Sequence, residues 1–395
     1  MGETAMKVCA VICEYNPFHL GHAYLLSKMK KRGAVLALMS GSFTQRGEPA
    51  VVSKYERARA ALISGADLVL ELPFPYAASR ADSFAAAGVR LLSWLGCVDE
   101  LCFGSETGDA AALSAAALRV GSDEFLAVLA SRLSQGHEVS YRRAFAEVYR
   151  QMFGTDIFRG SNDILAVSYL SEIGKQGASM LPVAIRRVGE AYDGRGKGFS
   201  SASSVRKMLQ EGDFESIRQS VPPGMAEILE VASREGRLAE EKRLYPLFAA
   251  LVRSGREVFS EAPDMTDELA ARLRRSAYRA KSMEELLTLA ETKRYSPSRL
   301  RRAVLYALLH VEKTDFSGVS YTSVLAANAT GREILASIRK TARTEIVTKP
   351  ADYIRCTEKT RRAFELCARA DSVWELLCEN PRDGGAMLRE HPVML

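Results

Sequence analysis

Short apolar runs alternate with helical patterns along the first half of the chain. The runs have the length of strands and few polar positions, which is typical of parallel strands buried on both faces. They are Lys7–Cys13, Ala34–Met39, Asp67–Leu72, Asp99–Phe103 and Met180–Val188. The segments between them have apolar residues at helical spacing: Ala23–Lys31, Lys54–Ile63, Ala81–Trp94, Ala110–Gln135, Tyr141–Met152 and Asn162–Ile173. This order predicts an α/β fold with a doubly wound parallel sheet and a ligand site at the carboxyl ends of the strands.

The pattern changes after about Leu209. From Phe214 onward it is mainly helical, with a few possible short strands such as Thr344–Val347. We therefore predict two domains, residues 1–210 and a mainly α-helical domain of residues 211–395. One stretch of the second domain is strongly basic: Arg272, Arg274, Arg275, Arg279, Lys281, Lys293, Arg294, Arg299, Arg301 and Arg302. It is either a surface for nucleic acid or a solvated helix face.

Charge and cysteine content narrow the class of protein further. A formal net charge of +6 over 395 residues permits a polyanionic partner but does not require one. The 7 cysteines form no CxxC pair and have no histidine at ligand spacing, so we expect reduced thiols and no metal site. No apolar run has membrane-spanning length and no signal peptide is evident. We expect a cytoplasmic protein with no membrane contact and no evident protein partner.

The stretch "AVICEYNPFHLGHAYLL" carries the first candidate chemistry, because His19 and His22 lie where a predicted strand turns into a helix. Free backbone N–H groups and the positive end of the helix dipole favour an anion at such a turn. Two imidazoles three residues apart reach the same side, and Gly21 allows a phosphate to approach the backbone. The pattern predicts a phosphate site whose donors stabilise charge developing on phosphorus.

The histidine pair has two alternative interpretations. One is a pair of unrelated histidines, although random placement gives HxGH only roughly 0.004 times in a chain of this composition. The second is a metal site, for which no third ligand is visible nearby. Neither accounts for the position of the pair directly after a predicted strand.

A serine-rich segment, "FSSASSVRKML", follows the last predicted strand and the Gly-rich loop "GEAYDGRGKG". Serines before a helical run predict an N-cap and a first helical turn. Together with Arg206, their hydroxyl and N–H groups would hold a polyphosphate from the side opposite the histidines. A serine-rich cap followed by basic residues is also a common surface feature. The histidine pair and the strand alternation favour the phosphate clamp.

These two motifs resemble the HxGH and SSTxxR-type pair of the nucleotidyltransferase superfamily. Further segments resemble one branch, the tRNA(Met) cytidine acetate ligase family, over most of the chain: "EYNPFHLGH", "GSFTQRGEPAVVSKYERA", "GADLVLELPF", "FGSETGD", "SNDILAVSYL", "TKRYSPSRLRR" and "VLAANATGREIL". The chain departs from the family pattern at Leu20 and Ser42, where Asn is common, and at Ser203, where Thr is common.

The resemblance implies ATP-dependent activation of acetate to acetyl-adenylate and transfer of the acetyl group to N4 of the wobble cytidine of elongator tRNA(Met). The substrates would be ATP, acetate and tRNA, with Mg²⁺ carried on the triphosphate. His19 and His22 would be catalytic. The residues implied for ATP binding are Ile12, Cys13, Glu14, Tyr15, Asn16, Pro17, Phe18, Gly21, Gly104, Asn162, Arg186, Arg187, Ser201, Ser204 and Arg206. Those for RNA binding are Lys293, Arg294, Tyr295, Arg299, Arg301 and Arg302, with Tyr295 as a possible stacking residue.

Some assignments and functions stay open at this point. Lys54 and Arg57 either hold further anionic groups or are surface residues. A cofactor-synthesising adenylyltransferase would use the same histidines without RNA, although the basic stretch disfavours it. A non-catalytic protein that binds RNA or nucleotides is a third possibility, which the intact histidine pair disfavours.

Overall fold

A computed structural model describes residues 6–135, 141–158, 160–188 and 199–395. The Gly-rich loop, 189–198, therefore lies outside the described residues. The strands are β1 (Val8–Cys13), β2 (Ala34–Ser40), β3 (Leu68–Leu72), β4 (Glu100–Ser105), β5 (Leu181–Arg186), β6 (Tyr321–Ala327), β7 (Glu345–Val347) and β8 (Val393–Met394).

The helices of the first half separate the strands as the apolar spacing predicts. They are α1 (Leu20–Lys30), α2 (Lys54–Ile63), α3 (Ala81–Leu95), α4 (Ala110–Val120), α5 (Asp123–Gln135), α6 (Tyr141–Phe153) and α7 (Ser161–Gln176). The single helical run predicted over Ala110–Gln135 is thus two helices with a turn between them.

The second half is mainly helical, as predicted. Its helices are α8 (Ala202–Glu211), α9 (Phe214–Ser220), α10 (Pro223–Arg234), α11 (Leu244–Arg253), α12 (Asp267–Arg279), α13 (Met283–Ala290), α14 (Pro297–Leu308), α15 (Ala329–Thr341), α16 (Glu358–Glu375) and α17 (Ala386–Arg389). No helix among the described residues is long and apolar enough to cross a membrane.

The strands form one mixed, mostly parallel sheet in the order β5-β4-β1-β2-β3-β6-β7, with β8 beside β6. β1 to β5 run parallel, and β6 joins β3 in the antiparallel sense. The doubly wound sheet predicted from the first half is confirmed. The strand β6 is an addition, because the sequence pattern alone indicated only short strands after Phe214.

Helices cover both faces of this sheet because successive residues of a strand point to opposite sides. In β1, for example, Val8, Ala10 and Ile12 pack with α3 to α7 and α15. Cys9 and Val11 pack with α1, α2 and α8 to α10 on the other face. The helices α11 to α14 and α16 build a further core of their own. The boundary near residue 210 stays a prediction, since α9 and α10 still cover the sheet.

All 7 cysteines are free, as expected. Cys9, Glu100 and Cys102 lie within 4.8 Å of one another and form the one possible metal-ligand group in the described part of the chain. The Glu100 carboxylate is already bonded at 2.6 Å by both Lys7 and Arg32. The hydrogen bond from Arg32, and to a smaller extent that from Lys7, lowers the pKa of Glu100 to about 2. Each oxygen of the Glu100 carboxylate is therefore already paired with a cationic side chain.

Candidate active site

His19 and His22 form the start of α1, directly after the turn that follows β1. The Nδ1 atom of His19 accepts a hydrogen bond from the Gly21 N–H at 3.0 Å, and the Nδ1 atom of His22 accepts one from the His19 N–H at 3.3 Å. The two rings are stacked with their centroids 3.7 Å apart. Because both Nδ1 atoms are acceptors, each neutral ring carries its proton on Nε2. The pair therefore offers two N–H donors at a helix N-terminus.

The charge state of the pair follows from its surroundings. Burial, and then the positive charge of Arg187, lowers the pKa of His19 to about 4. Burial, His19 and Arg187 together lower the pKa of His22 well below its ordinary value. Both imidazoles are therefore neutral at pH 7, and the stacked arrangement carries no repulsion between two cations.

Gly21 allows this arrangement because a side chain would not fit between the first helical turn and the ring of His19. A Cβ atom at position 21 would lie 2.8 Å from Cε1 and 3.0 Å from Nδ1 of His19. Any other residue would push the His19 ring away from the Gly21 N–H. The glycine of the HxGH pattern is thus required by the capping geometry itself.

A cavity of about 710 Å³ opens in front of the histidines at the carboxyl ends of β1, β4 and β5. Most residues implied for ATP binding line it together with the two histidines: Ile12, Cys13, Glu14, Tyr15, Asn16, Gly21, Gly104, Asn162, Arg186, Arg187, Ser201 and Arg206. Among the described residues, Pro17, Phe18 and Ser204 are not part of this wall. Phe18 is instead a core residue beneath the turn.

Further wall residues were not found from the sequence: Tyr24, Gln45, Arg46, Phe84, Phe103, Glu106, Tyr169 and Phe199. The segments "GSFTQRGEP" and "FGSETGD" contain Gln45, Arg46 and Glu106, and they supplied the signal that could have found them. Tyr24, Phe84, Phe103 and Tyr169 lie in helical or strand patterns, where they are indistinguishable from core residues, and Phe199 lies just before α8.

The end of the cavity near β4 and β5 is held by hydrogen bonds between neighbouring segments. Asn162 Nδ2 donates to Glu106 Oε1 at 2.6 Å. The Arg187 N–H donates to the Ser105 carbonyl at 2.9 Å and extends the pairing of β5 with β4. Gly104 packs beside Arg187, whose Cγ would be in ordinary van der Waals contact, at 3.4 Å, with a Cβ at position 104. These contacts bring both arginines into the cavity wall.

The serine-rich segment begins α8 as predicted. Ser201 is the N-cap, and its hydroxyl oxygen accepts from the Ser204 N–H at 3.1 Å. Arg206 donates to the Asn16 carbonyl at 2.8 Å and forms an ion pair of 2.9 Å with Glu48. The segment therefore lies beside the histidine turn, and the clamp on a polyphosphate stays a prediction.

Comparison with known proteins finds relatives along nearly the whole chain. The family model described as HIGH Nucleotidyl Transferase matches residues 6–386. A tRNA(Met) cytidine acetate ligase from Caldanaerobacter subterraneus is 35% identical over 95% of this chain and 96% of its own length. A second tRNA(Met) cytidine acetate ligase, from a Thermoanaerobacter species, is 34% identical over 96% of this chain and 98% of its own length. The chain belongs to the tRNA(Met) cytidine acetate ligase family.

A solved structure agrees with this membership. Thermotoga maritima TmcAL, crystallised with alpha-thio ATP, superposes with a TM-score of 0.88 at 31% identity. The match covers 99% of this chain and 100% of that one. The antiparallel strand β6 and the helical second half therefore belong to the shared fold of the tRNA(Met) cytidine acetate ligase family.

Two basic residues of this family member, Lys54 and Arg57, are buried, so their interpretation as surface residues is wrong. The guanidinium of Arg57 donates to the carbonyl oxygens of Glu14, Ser40, Gly41 and Val52, and burial lowers its pKa to about 10. It therefore ties the ends of β1 and β2 together. Lys54 Nζ lies 3.0 Å from Glu71 and 2.7 Å from Asp371. Among the described residues, neither basic side chain lines the cavity.

Ser42, a departure from the pattern of the tRNA(Met) cytidine acetate ligase family, belongs to the same buried cluster. Its hydroxyl donates to Asp371 at 2.6 Å and lies away from the cavity wall. Leu20 begins α1 without lining the cavity, and the Ser203 hydroxyl lies 2.9 Å from that of Ser201. The hydrogen bonds and the ring stacking of His19 and His22 involve none of these three side chains.

Part of the predicted RNA-binding set is corrected by the structure. Tyr295 is only 1% exposed and packs in the core of the helical half, so its ring cannot stack on a base. Arg302 is also buried and donates to the Gln45 carbonyl at 3.3 Å. Arg299 and Arg301 are half-buried in ion pairs with Asp264 and Glu241. Lys293 and Arg294 remain as exposed members of the set.

Proposed function

We propose that this protein uses ATP to activate acetate as acetyl-adenylate and then transfers the acetyl group to N4 of the wobble cytidine of elongator tRNA(Met). The observation that carries the proposal is the pair of Nε2–H donors at the start of α1, which face an ATP-sized cavity. Similarity to tRNA(Met) cytidine acetate ligases along nearly the whole chain supports the substrates. ATP binding by a relative with the same fold supports the nucleotide.

The first half-reaction follows from the position of the donors. A carboxylate oxygen of acetate attacks the α-phosphorus, the bond to the bridging oxygen breaks, and pyrophosphate leaves. Negative charge grows on the α-phosphate oxygens, and the Nε2–H groups of His19 and His22 stabilise it. Arg186 and Arg187, together with Ser201 and Arg206, would hold the remaining phosphates. Mg²⁺ on the triphosphate would neutralise part of its charge, since the cavity wall offers no cluster of carboxylates among the described residues.

The alternative of a cofactor-synthesising adenylyltransferase is less well supported. The relatives that match the whole chain are named as tRNA-modifying ligases. A small-molecule enzyme also has no use for the exposed basic residues of the helical half. A cytoplasmic location is part of the proposal, because ATP and tRNA occur together there.

The proposal is tested by incubating the protein with ATP, isotopically labelled acetate and unmodified tRNA(Met), followed by mass spectrometry of the nucleosides. We expect labelled N4-acetylcytidine, formed in proportion to the AMP that is released. AMP formation that needs a phosphate ester instead of acetate would support the alternative enzyme. No AMP under either condition would support a non-catalytic protein.

The tRNA surface that we propose is the exposed face of α12 together with the loop before α14. Arg294 forms an ion pair of 3.4 Å with Glu268 at the start of α12. Arg275 and Arg279 follow Glu268 by 7 and 11 residues, which places them on the same side of the helix. Tyr278 beside them is 60% exposed, so it replaces Tyr295 as the candidate stacking residue.

Replacing Arg275, Arg279, Lys293 and Arg294 together by alanine should weaken tRNA binding and flatten its salt dependence. Each lost phosphate contact removes about 0.7 to 0.9 from the slope of log K against log salt concentration, so the slope should fall by about 3. The measurement is a filter-binding titration with tRNA(Met) at several salt concentrations. A charge-matched control replaces Arg332, Arg339, Lys340 and Arg343, which are exposed on and after α15. Equal slopes for the two variants would contradict the proposed surface.

A further inference from the structure

Glu14 places a carboxylate in a cavity whose other charged groups suit anions. It directly follows β1, and its backbone carbonyl accepts from Arg57 Nη1 at 2.7 Å. Its Oε1 atom accepts from the Gln45 N–H at 2.7 Å. No partner for Oε2 is found among the residues that the structure describes. One oxygen thus fixes the side chain, and the other is available to a ligand.

Several aromatic side chains line the same cavity as Glu14. Tyr169 of α7 is 3% exposed and lines the same cavity. Its ring lies 6.4 Å from that of Phe103, between centroids, and Phe84 also lines the cavity. Aromatic side chains of this kind hold nucleobases that have been turned out of their stack. The triphosphate makes no use of such a surface, which suits a base: the adenine of ATP or the target cytosine.

Burial raises the pKa of Glu14 above its ordinary value, and Glu48 acts in the same direction. The Gln45 N–H and the positive charges of Arg46 and Arg206 oppose the shift. The charge of Glu14 is in turn felt by Tyr169, whose pKa is raised well above its ordinary value mainly by burial. The titratable and charged groups around the carboxylate are therefore Cys13, Arg46, Glu48, Arg57, Tyr169 and Arg206. A raised pKa suits a carboxylate that must take up a proton near neutral pH.

We infer that Glu14 is the general base of the second half-reaction and accepts a proton from the exocyclic amine of the target cytosine. This inference rests on the proposed function. The N4 lone pair attacks the carbonyl carbon of acetyl-adenylate, and the bond from that carbon to the AMP oxygen breaks. AMP leaves with the electron pair, and an N4 proton moves to Glu14 Oε2. A carboxylate is also the side chain that accepts from the N4 amine of cytosine in nucleic-acid recognition.

Glutamine at position 14 tests this role because it keeps the size of the side chain and cannot take up the proton. Wild type and Glu14→Gln are supplied with prepared acetyl-adenylate and unmodified tRNA(Met), and transfer is followed in single turnovers. We expect transfer by the variant to fall about 100- to 10,000-fold. The factor by which acetate-dependent pyrophosphate exchange falls should be at least about ten times smaller than the factor for transfer.

The pH profile separates a base from a structural residue. Glu14 accepts a proton only when ionised, so the wild-type transfer rate should rise with pH and level off above its raised pKa. Glu14→Gln should lose this rise, and Glu14→Asp should keep it at a lower rate. Glu48→Gln is the matched control. It also removes one negative charge close to Glu14, but the Glu48 carboxylate is paired with Arg206. Its ratio of transfer to exchange should equal that of wild type.

Several outcomes would overturn the inference, and one would overturn the proposed function instead. Equal transfer rates for wild type and Glu14→Gln, or the same loss in Glu48→Gln, would remove the base assignment alone. A loss of pyrophosphate exchange as large as that of transfer, with a changed Mg²⁺ requirement, would make Glu14 a ligand of the metal-bound triphosphate. Failure of the wild type to acetylate tRNA from supplied acetyl-adenylate would contradict the proposed function itself.

Discussion

Replacing His22 with alanine is expected to lower acetate-dependent adenylate formation by about 100- to 1000-fold. The His22 ring offers its Nε2–H to the cavity, and its Nδ1 holds the His19 N–H at 3.3 Å. Loss of the ring removes one donor to the α-phosphate and loosens the stack that orients the other. The measurement is ATP–pyrophosphate exchange with and without acetate.

A variant of a histidine outside the cavity shows whether the loss of adenylate formation is specific to His22. His391 is exposed near the end of the chain, away from the cavity wall, and His391→Ala should keep wild-type exchange. The His22 ring packs against Tyr15 and Phe18, with centroids 4.9 and 5.6 Å apart, so the thermal unfolding of His22→Ala is measured as well and should remain cooperative. Near-normal exchange by a folded His22→Ala protein would contradict the assignment of the α-phosphate site.

Replacing Lys54 with alanine is expected to lower the free energy of unfolding by about 3 to 5 kcal/mol. Lys54 is the counter-charge of two buried carboxylates, Glu71 at 3.0 Å and Asp371 at 2.7 Å. Without it, both would be ionised in the interior with no cation bonded to them. The measurement is equilibrium unfolding in urea. Lys175→Ala is the control. It breaks the ion pair between the exposed Lys175 and Glu172, and it should lower the free energy of unfolding by less than about 1 kcal/mol.

The loss caused by Lys54→Ala should shrink as the pH falls. Burial raises the pKa of Glu71 in the folded protein even with Lys54 present. When the folded state has the higher pKa, it binds more protons than the unfolded state, so that stability rises as the pH falls through that pKa. Removing Lys54 raises the folded pKa further. The difference between wild type and variant should therefore be smaller at about pH 5 than at about pH 8, and a constant difference would contradict an electrostatic origin of the loss.

The same cluster joins the two halves of the chain. Lys54 and Glu71 come from α2 and β3, whereas Asp371 belongs to α16. Nearby, Trp374 donates to the Ala50 carbonyl at 2.6 Å, and Thr322 of β6 donates to the Glu71 carbonyl at 2.7 Å. The nucleotide-binding sheet and the helical half are thus held together by buried polar contacts. This connection gives the proposed tRNA surface a fixed position relative to the cavity.

The elements that the sequence predicted are those whose pattern is local. The strands β1 to β5 and the helices between them appear because buried parallel strands and amphipathic helices leave different spacings of apolar residues. The histidine site was also predictable, since its capping bonds and close glycine contact involve residues at most three positions apart. The whole HxGH motif consists of four consecutive residues, His19 to His22.

Burial of charged and aromatic residues in the second half could not be predicted in the same way. Tyr295 and Arg302 are residue types that RNA-binding surfaces often contain. In the structure, however, Tyr295 packs in the helical core and Arg302 contacts the loop at Gln45. A short window of sequence does not show which face of a basic helix will meet another element. Only the packed neighbours decide whether such a residue is free for RNA.

The sequence by itself determined the parallel sheet, the order of its first five strands along the chain and the strand-to-helix turn that carries His19 and His22. Only the tertiary structure decided that β6 joins the sheet beside β3, that Asp371 neutralises Lys54, and that Glu14 and Tyr169 share a cavity wall. Lys54 and Asp371 lie 317 positions apart in the chain. The physical reason is that hydrophobic spacing fixes the type of each element and its buried face. The partner that covers that face is set by the packing of the whole chain.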